Sequence, residues 1–179
     1  KTESGLALYL VKETNEKDTA FFGGAGTFDG LKIVINSDSN QGSALHAFIN
    51  DGTQDLSKLS GDELYQKAFG SCIVPYQESQ VPTTLRIASY AGSLLIQVNN
   101  RVCLKTSKIT VPRDYKLGVS ASTSKISEEV FELLRLKAYR GVVSEILDNE
   151  GKSAQRAQIV TKVVQIDEDE SLPTVEKEE

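Results

Sequence analysis

What most constrains this chain is a succession of short β-prone runs, each closed by turn chemistry, with only one short stretch of helical character among them. Gly5–Val11 (GLALYLV) and residues 31–35 (LKIVI) are apolar runs of strand length. Between them lie Phe22-Gly23-Gly24-Ala25-Gly26 and Phe28-Asp29-Gly30, which read as loop. Residues 45–49 predict a third strand, stopped by Asn50-Asp51-Gly52. Residues 84–90 and 93–98 flank a tight turn and predict a hairpin, followed by strands over 101–106, 108–111 and 115–121. Residues 129–139 alternate in part (Phe131 and Leu133 against Glu132 and Leu134); the strand-rich surroundings and Gly141 favour strand over helix. The helical stretch is 62–69. Many short strands without a βαβ rhythm predict an all-β, antiparallel sandwich. At 179 residues the chain suits one such domain plus an appendage. We place the boundary at 142, with residues 143–179 as stalk or linker. Within it, residues 153–166 fit either a helix or an extended linker.

Charge is unevenly placed. Residues 167–179 hold seven acids against Lys177, a local charge of −6, so the other 166 residues carry about +1 of the total of −5. The acidic end reads as a solvated tail, and the near-neutral body lacks the clustered basic face of a nucleic-acid binder. No run of 18 or more apolar residues is present.

The residues able to carry chemistry are few. Cys72 and Cys103 are the only cysteines, and their spacing suits a disulfide or two buried thiols alike. His46, the only histidine, falls in an apolar run and reads as a strand histidine with a satisfied hydrogen bond. Neither a nucleophile elbow nor a phosphate-binding loop occurs. The acids Glu128, Glu129 and Glu132 are wrongly spaced for a carboxylate pair across a glycosidic bond. An enzyme is not expected. The polar loop 36–42 (NSDSNQG) after an apolar strand offers amide and carboxylate oxygens suited to sugar hydroxyls or a hard cation, a composition shared with any turn-rich loop.

Ser4-Gly5-Leu6-Ala7-Leu8-Tyr9, Phe28-Asp29-Gly30-Leu31, Ile33-Val34-Ile35-Asn36, Asn50-Asp51-Gly52, Pro75-Tyr76-Gln77-Glu78-Ser79, Val98-Asn99-Asn100-Arg101-Val102-Cys103 and Leu117-Gly118-Val119-Ser120-Ala121 occur in an order that resembles the L-type, legume-like lectin domains of fungal cargo receptors. The resemblance implies a legume-lectin sandwich whose first strands precede Lys1, and a disulfide between Cys72 and Cys103. It implies a lumenal domain of a single-pass membrane protein moving between endoplasmic reticulum and Golgi, with its anchor outside this chain. Partners are then high-mannose glycans on cargo glycoproteins, with homo- or hetero-oligomers forming through the segment after Val142. Site positions carried over are Ser4, Gly5, Asn36, Asp38, Asn40, Ser124 and Lys125; Ser60 and Glu63 fall where calcium-dependent members have His and Asp. Asn36 stands where those members have a carboxylate, so no cofactor is expected: strong calcium binding is lost, and a monovalent cation is the ion left open. The alternative function is a degenerate lectin fold acting as a protein-interaction scaffold.

Overall fold

In a computed structural model of the chain, residues 4–13, 17–38, 42–76, 79–90, 92–107, 109, 111, 114–123, 130–140 and 162–163 are described. Two units are present, Lys1–Glu132 and Leu133–Glu179. The first carries β1 (Gly5–Val11), β2 (Asp29–Asp38), β3 (Gly42–Asp51), a 3-10 turn (Leu56–Lys58), α1 (Gly61–Lys67), β4 (Gly70–Ile73), β5 (Leu85–Tyr90), β6 (Ser93–Val98), β7 (Arg101–Thr106) and β8 (Lys116–Ser122).

These strands make an antiparallel β-sandwich. One sheet has the order β4-β3-β2-β1-β8 and the other β5-β6-β7. Strand β2 is central, pairing with β1 and β3 at once. Its alternation sends Leu31, Ile33 and Ile35 to the inner face, where they meet Leu45, Ala47, Leu94, Ile96 and Val98. Lys32, Val34 and Asn36 lie on the outer face. There Val34 joins Ala7, Val11 and Phe48 under a cover of Phe21, Phe22, Phe28, Leu56 and Leu64. Each fully buried aliphatic side chain contributes about 1.5–3 kcal/mol, so neither face of β2 is dispensable.

The sheets are also joined covalently, as the family resemblance implied. Cys72 on β4 and Cys103 on β7 form a disulfide with Cα atoms 5.6 Å apart. The β6–β7 turn uses Asn99 and Asn100 at φ 49° and 63°. Two positive φ values give the twist that a two-residue hairpin needs, and asparagine tolerates them better than most residues.

Several strands match the sequence expectation, and three segments differ from it. Ile109 and Val111 lie outside any strand, and residues 130–138 have no regular structure. Of the alternating residues Phe131 is half-buried, its ring centroid 6.1 Å from that of Tyr76, whereas Val130, Leu133, Leu134 and Leu136 are exposed. Strand β4 was not expected; its four residues, GSCI, alternate too briefly to stand out from a loop. In the second unit, β9 (Tyr139–Arg140) pairs with β10 (Lys162–Val163), so the 153–166 stretch is extended rather than helical at that point. The rest of that stretch and the acidic tail lie outside the described residues.

Lys32 contradicts the usual rule that a lysine in an apolar strand marks the solvent face. It is 2% exposed. Its Nζ donates to the Ala25 carbonyl and sits 4.8 Å from the Phe28 ring centroid, 5.2 Å from Phe21 and 5.5 Å from Tyr9. The ring faces offset part of the desolvation cost of the ammonium. Asp18 organises the same loop by accepting from the backbone N–H groups of Ala20 and Gly26. Burial pushes the Lys32 pKa down to about 8, with Asp18 opposing the shift.

Two outcomes are expected. Replacing both cysteines by alanine frees a 31-residue separation and lowers unfolding free energy by about 3–4 kcal/mol, measured by urea unfolding. For Lys32, native and unfolded states are both protonated below pH 8, and only the unfolded state stays protonated between about 8 and 10.5. Stability contributed by this residue therefore rises with pH through that window, by on the order of 3 kcal/mol. Urea midpoints at stepped pH should show this rise in the wild type and its absence in Lys32→Met.

Candidate binding site

Register brings two of the family-derived positions, Gly5 and Asn36, opposite each other at one end of the five-stranded sheet. Gly5 lies opposite Asn36 on β2 and opposite Ser122 on β8. A Cβ on Gly5 would come within 2.6 Å of the Phe22 ring and 2.9 Å of the Ile35 carbonyl oxygen, so glycine lets the Phe22 loop close over this strand end. Ser4 precedes it and is buried. Asp38 ends β2 through its backbone, two residues beyond Asn36; its side chain lies outside the described residues. Asn40, Ser124 and Lys125 also lie outside them, the last two following β8 in sequence.

Asn36 is the most telling of these residues. It is 2% exposed, and its Nδ2 donates to the Tyr65 hydroxyl at 3.0 Å. Its Oδ1 is buried with no hydrogen-bond partner among the described residues. A buried acceptor left empty costs about 1–3 kcal/mol, which a ligand hydroxyl or cation would offset.

The Tyr65 ring stacks on the His46 ring at a centroid separation of 4.4 Å and 30° between planes. His46 is 4% exposed, and its Nδ1 lies 2.8 Å from Ser71 Oγ. It is the hydrogen-bonded strand histidine that the sequence indicated. Tyr65 was missed because nothing local marks it; a tyrosine in a seven-residue helix reads as packing. What places it is the capping box that starts α1. Ser60 Oγ accepts from the Glu63 backbone N–H at 3.4 Å, and Glu63 Oε2 accepts from the Ser60 backbone N–H at 3.0 Å and its hydroxyl at 2.8 Å. These bonds, the backbone one foremost, hold the Glu63 carboxyl below the usual carboxylate range. Ser60 and Glu63, which the family resemblance aligns near a His and an Asp, thus cap a helix here.

Among the described residues, no three His, Cys, Asp or Glu side chains gather as a metal centre. The oxygens present are mostly neutral, from amide and hydroxyl groups. Such a set suits hydroxyl recognition, or a weakly held ion of low charge, better than a strongly bound divalent cation. A cavity of about 590 Å³ lies elsewhere, lined by Asp29, Ile49, Asp51, Val111 and Tyr115 among others. It sits at the far end of β2, seven residues from Asn36, which is about 23 Å at 3.3 Å per residue. The register-built cluster is the candidate because its orphaned acceptor needs a partner, which the cavity's hydrogen-bonded groups do not: Asp29 already accepts from Tyr115 and Asp51 from Thr53.

Comparison with known proteins agrees with this fold. A family model for the legume-like lectin family matches residues 1–145. Protein EMP46 of Saccharomyces cerevisiae is 37% identical over 190 residues, an alignment that takes in 99% of this chain and 41% of the relative. The chain therefore spans well under half the length of that protein. Among solved structures, the Emp46p carbohydrate recognition domain in its metal-free form is 35% identical, with TM-score 0.58 over 68% of this chain and 56% of that chain. Its potassium-bound form is 33% identical, with TM-score 0.56 over 68% and 58%. The VIP36 exoplasmic/lumenal domain, solved with calcium and Man3GlcNAc, shares the fold at 20% identity, with TM-score 0.60 over 68% and 56%. With a family match over most of its length and a sandwich to go with it, the chain belongs to the legume-like lectin family.

Proposed function

We propose that this chain is a glycan-binding domain of the secretory-pathway lumen that recognises high-mannose chains on cargo glycoproteins moving between endoplasmic reticulum and Golgi. The observation that carries the reading is the buried, half-satisfied amide of Asn36 beside Gly5, at the strand end where Ser4 also lies. Sugar hydroxyls donate hydrogen bonds in the geometry such an acceptor needs. Asp38, Asn40, Ser124 and Lys125 complete the site in this reading. The Cys72–Cys103 disulfide supports an oxidising compartment. Residues 1–142 form the recognition domain, and 143–179 link it onward and mediate any oligomer.

The ion requirement follows from the donor set. Asn36 removes a carboxylate from the site, so potassium, the ion named for one form of the Emp46p domain, fits better than calcium. A second reading is favoured by the diversion of Ser60 and Glu63 into helix capping. In it the fold has lost its glycan and serves as a scaffold for protein contacts.

Calorimetric titration with a high-mannose oligosaccharide separates the two. We expect saturable binding in potassium buffer that persists when calcium is chelated and is lost in Asn36→Leu. Absence of binding at millimolar oligosaccharide, with potassium or with calcium, contradicts the glycan reading. Capture of partners that survives their enzymatic deglycosylation then supports the scaffold.

A further inference from the structure

The Asn36 amide has two ends, and only one is bonded. Nδ2 donates to Tyr65 Oη, and Oδ1 is left without a partner among the described residues. Turned over, the amide would accept from the Tyr65 hydroxyl and leave Nδ2 empty instead, offering a donor where an acceptor now stands. A phenol hydroxyl can accept or donate, so what Tyr65 does is engage one end of the amide and leave the other; in this structure Nδ2 is bonded and Oδ1 is left. Tyr65 is itself held from both sides of the sheet end. Its ring stacks on His46, which contacts Ser71 on β4, and the capping box of Ser60 and Glu63 fixes the start of its helix.

We infer that Tyr65 is a positioning residue for ligand recognition: by accepting from Asn36 Nδ2 it holds Oδ1 as the atom offered to a ligand hydroxyl. The class of ligand rests on the glycan reading above, whereas the orientation of the amide does not. Tyr65 touches Asn36 rather than the ligand, so its effect is indirect.

The test compares the full chain with Tyr65→Phe, which removes the hydroxyl and keeps the ring on His46. Two readouts are taken: the dissociation constant for a high-mannose oligosaccharide, and the side-chain amide signals of Asn36 in a proton–nitrogen spectrum. We expect affinity to fall about tenfold, as for one hydrogen bond lost from the bound state. The Asn36 Nδ2 signals should shift, and those of Asn50, which donates to the Gln54 carbonyl, should stay in place. A tyrosine with only a structural role would lower the melting temperature and leave affinity and the Asn36 signals unchanged below the transition, which overturns the inference. In a binding wild type, movement of only one of the two readouts also overturns it. If the wild type binds no oligosaccharide, the glycan reading fails by itself. The amide signals then still decide whether Tyr65 orients Asn36: a shift supports that, and no shift contradicts it.

Discussion

Everything in this domain depends on β2 being buried on both faces. A strand in the middle of a sheet usually has one wet side, and alternating polarity records it. Here Leu31, Ile33 and Ile35 fill the space between the sheets, whereas Lys32, Val34 and Asn36 face a second apolar layer built by the 18–28 loop and α1. The disulfide then ties β4, at the edge of the same sheet, to β7 of the other. The two covers do different work. The inner one makes the sandwich, and the outer one makes the environment in which a polar residue such as Asn36 becomes consequential.

That second cover explains the uneven legibility of the sequence. The runs at Gly5–Val11 and Arg101–Thr106 become β1 and β7 with the same limits, because turn residues and β-propensity act locally. Residues 62–69 become α1 within a residue or two, since the capping box is also local. Lys32 was not readable as a core residue. Its cage comes from Phe21 and Phe28 in a glycine-rich loop and Tyr9 on the neighbouring strand, and no window of sequence contains that arrangement. The stretch 130–138 failed in the opposite direction: it carries the pattern of a strand, but a pattern becomes structure only where a neighbouring surface buries it.

The site divides along the same line. Gly5 and Asn36 were found through family resemblance, and strand register brings them together. Tyr65 came from tertiary contact alone, and it engages Asn36 Nδ2 while Oδ1 is left without a partner among the described residues; His46 was legible as a hydrogen-bonded strand histidine, but its stacking on Tyr65 was not. Replacement of a carboxylate by Asn36 looks, in isolation, like decay of a binding site. In the fold its Oδ1 is a buried neutral acceptor without a partner among the described residues, which is the observation the proposed glycan site rests on.

The central claim is that the strand end around Gly5 and Asn36 is where ligand lands. Backbone chemical-shift mapping during titration with a high-mannose oligosaccharide tests it most directly. The account predicts shifts that saturate together at Ser4, Gly5, Asn36, Ala44 and Tyr65, with little change near Asp29 and Asp51. Saturable shifts confined to the Asp29–Asp51 end of the sheet or to β5, β6 and β7 would contradict it.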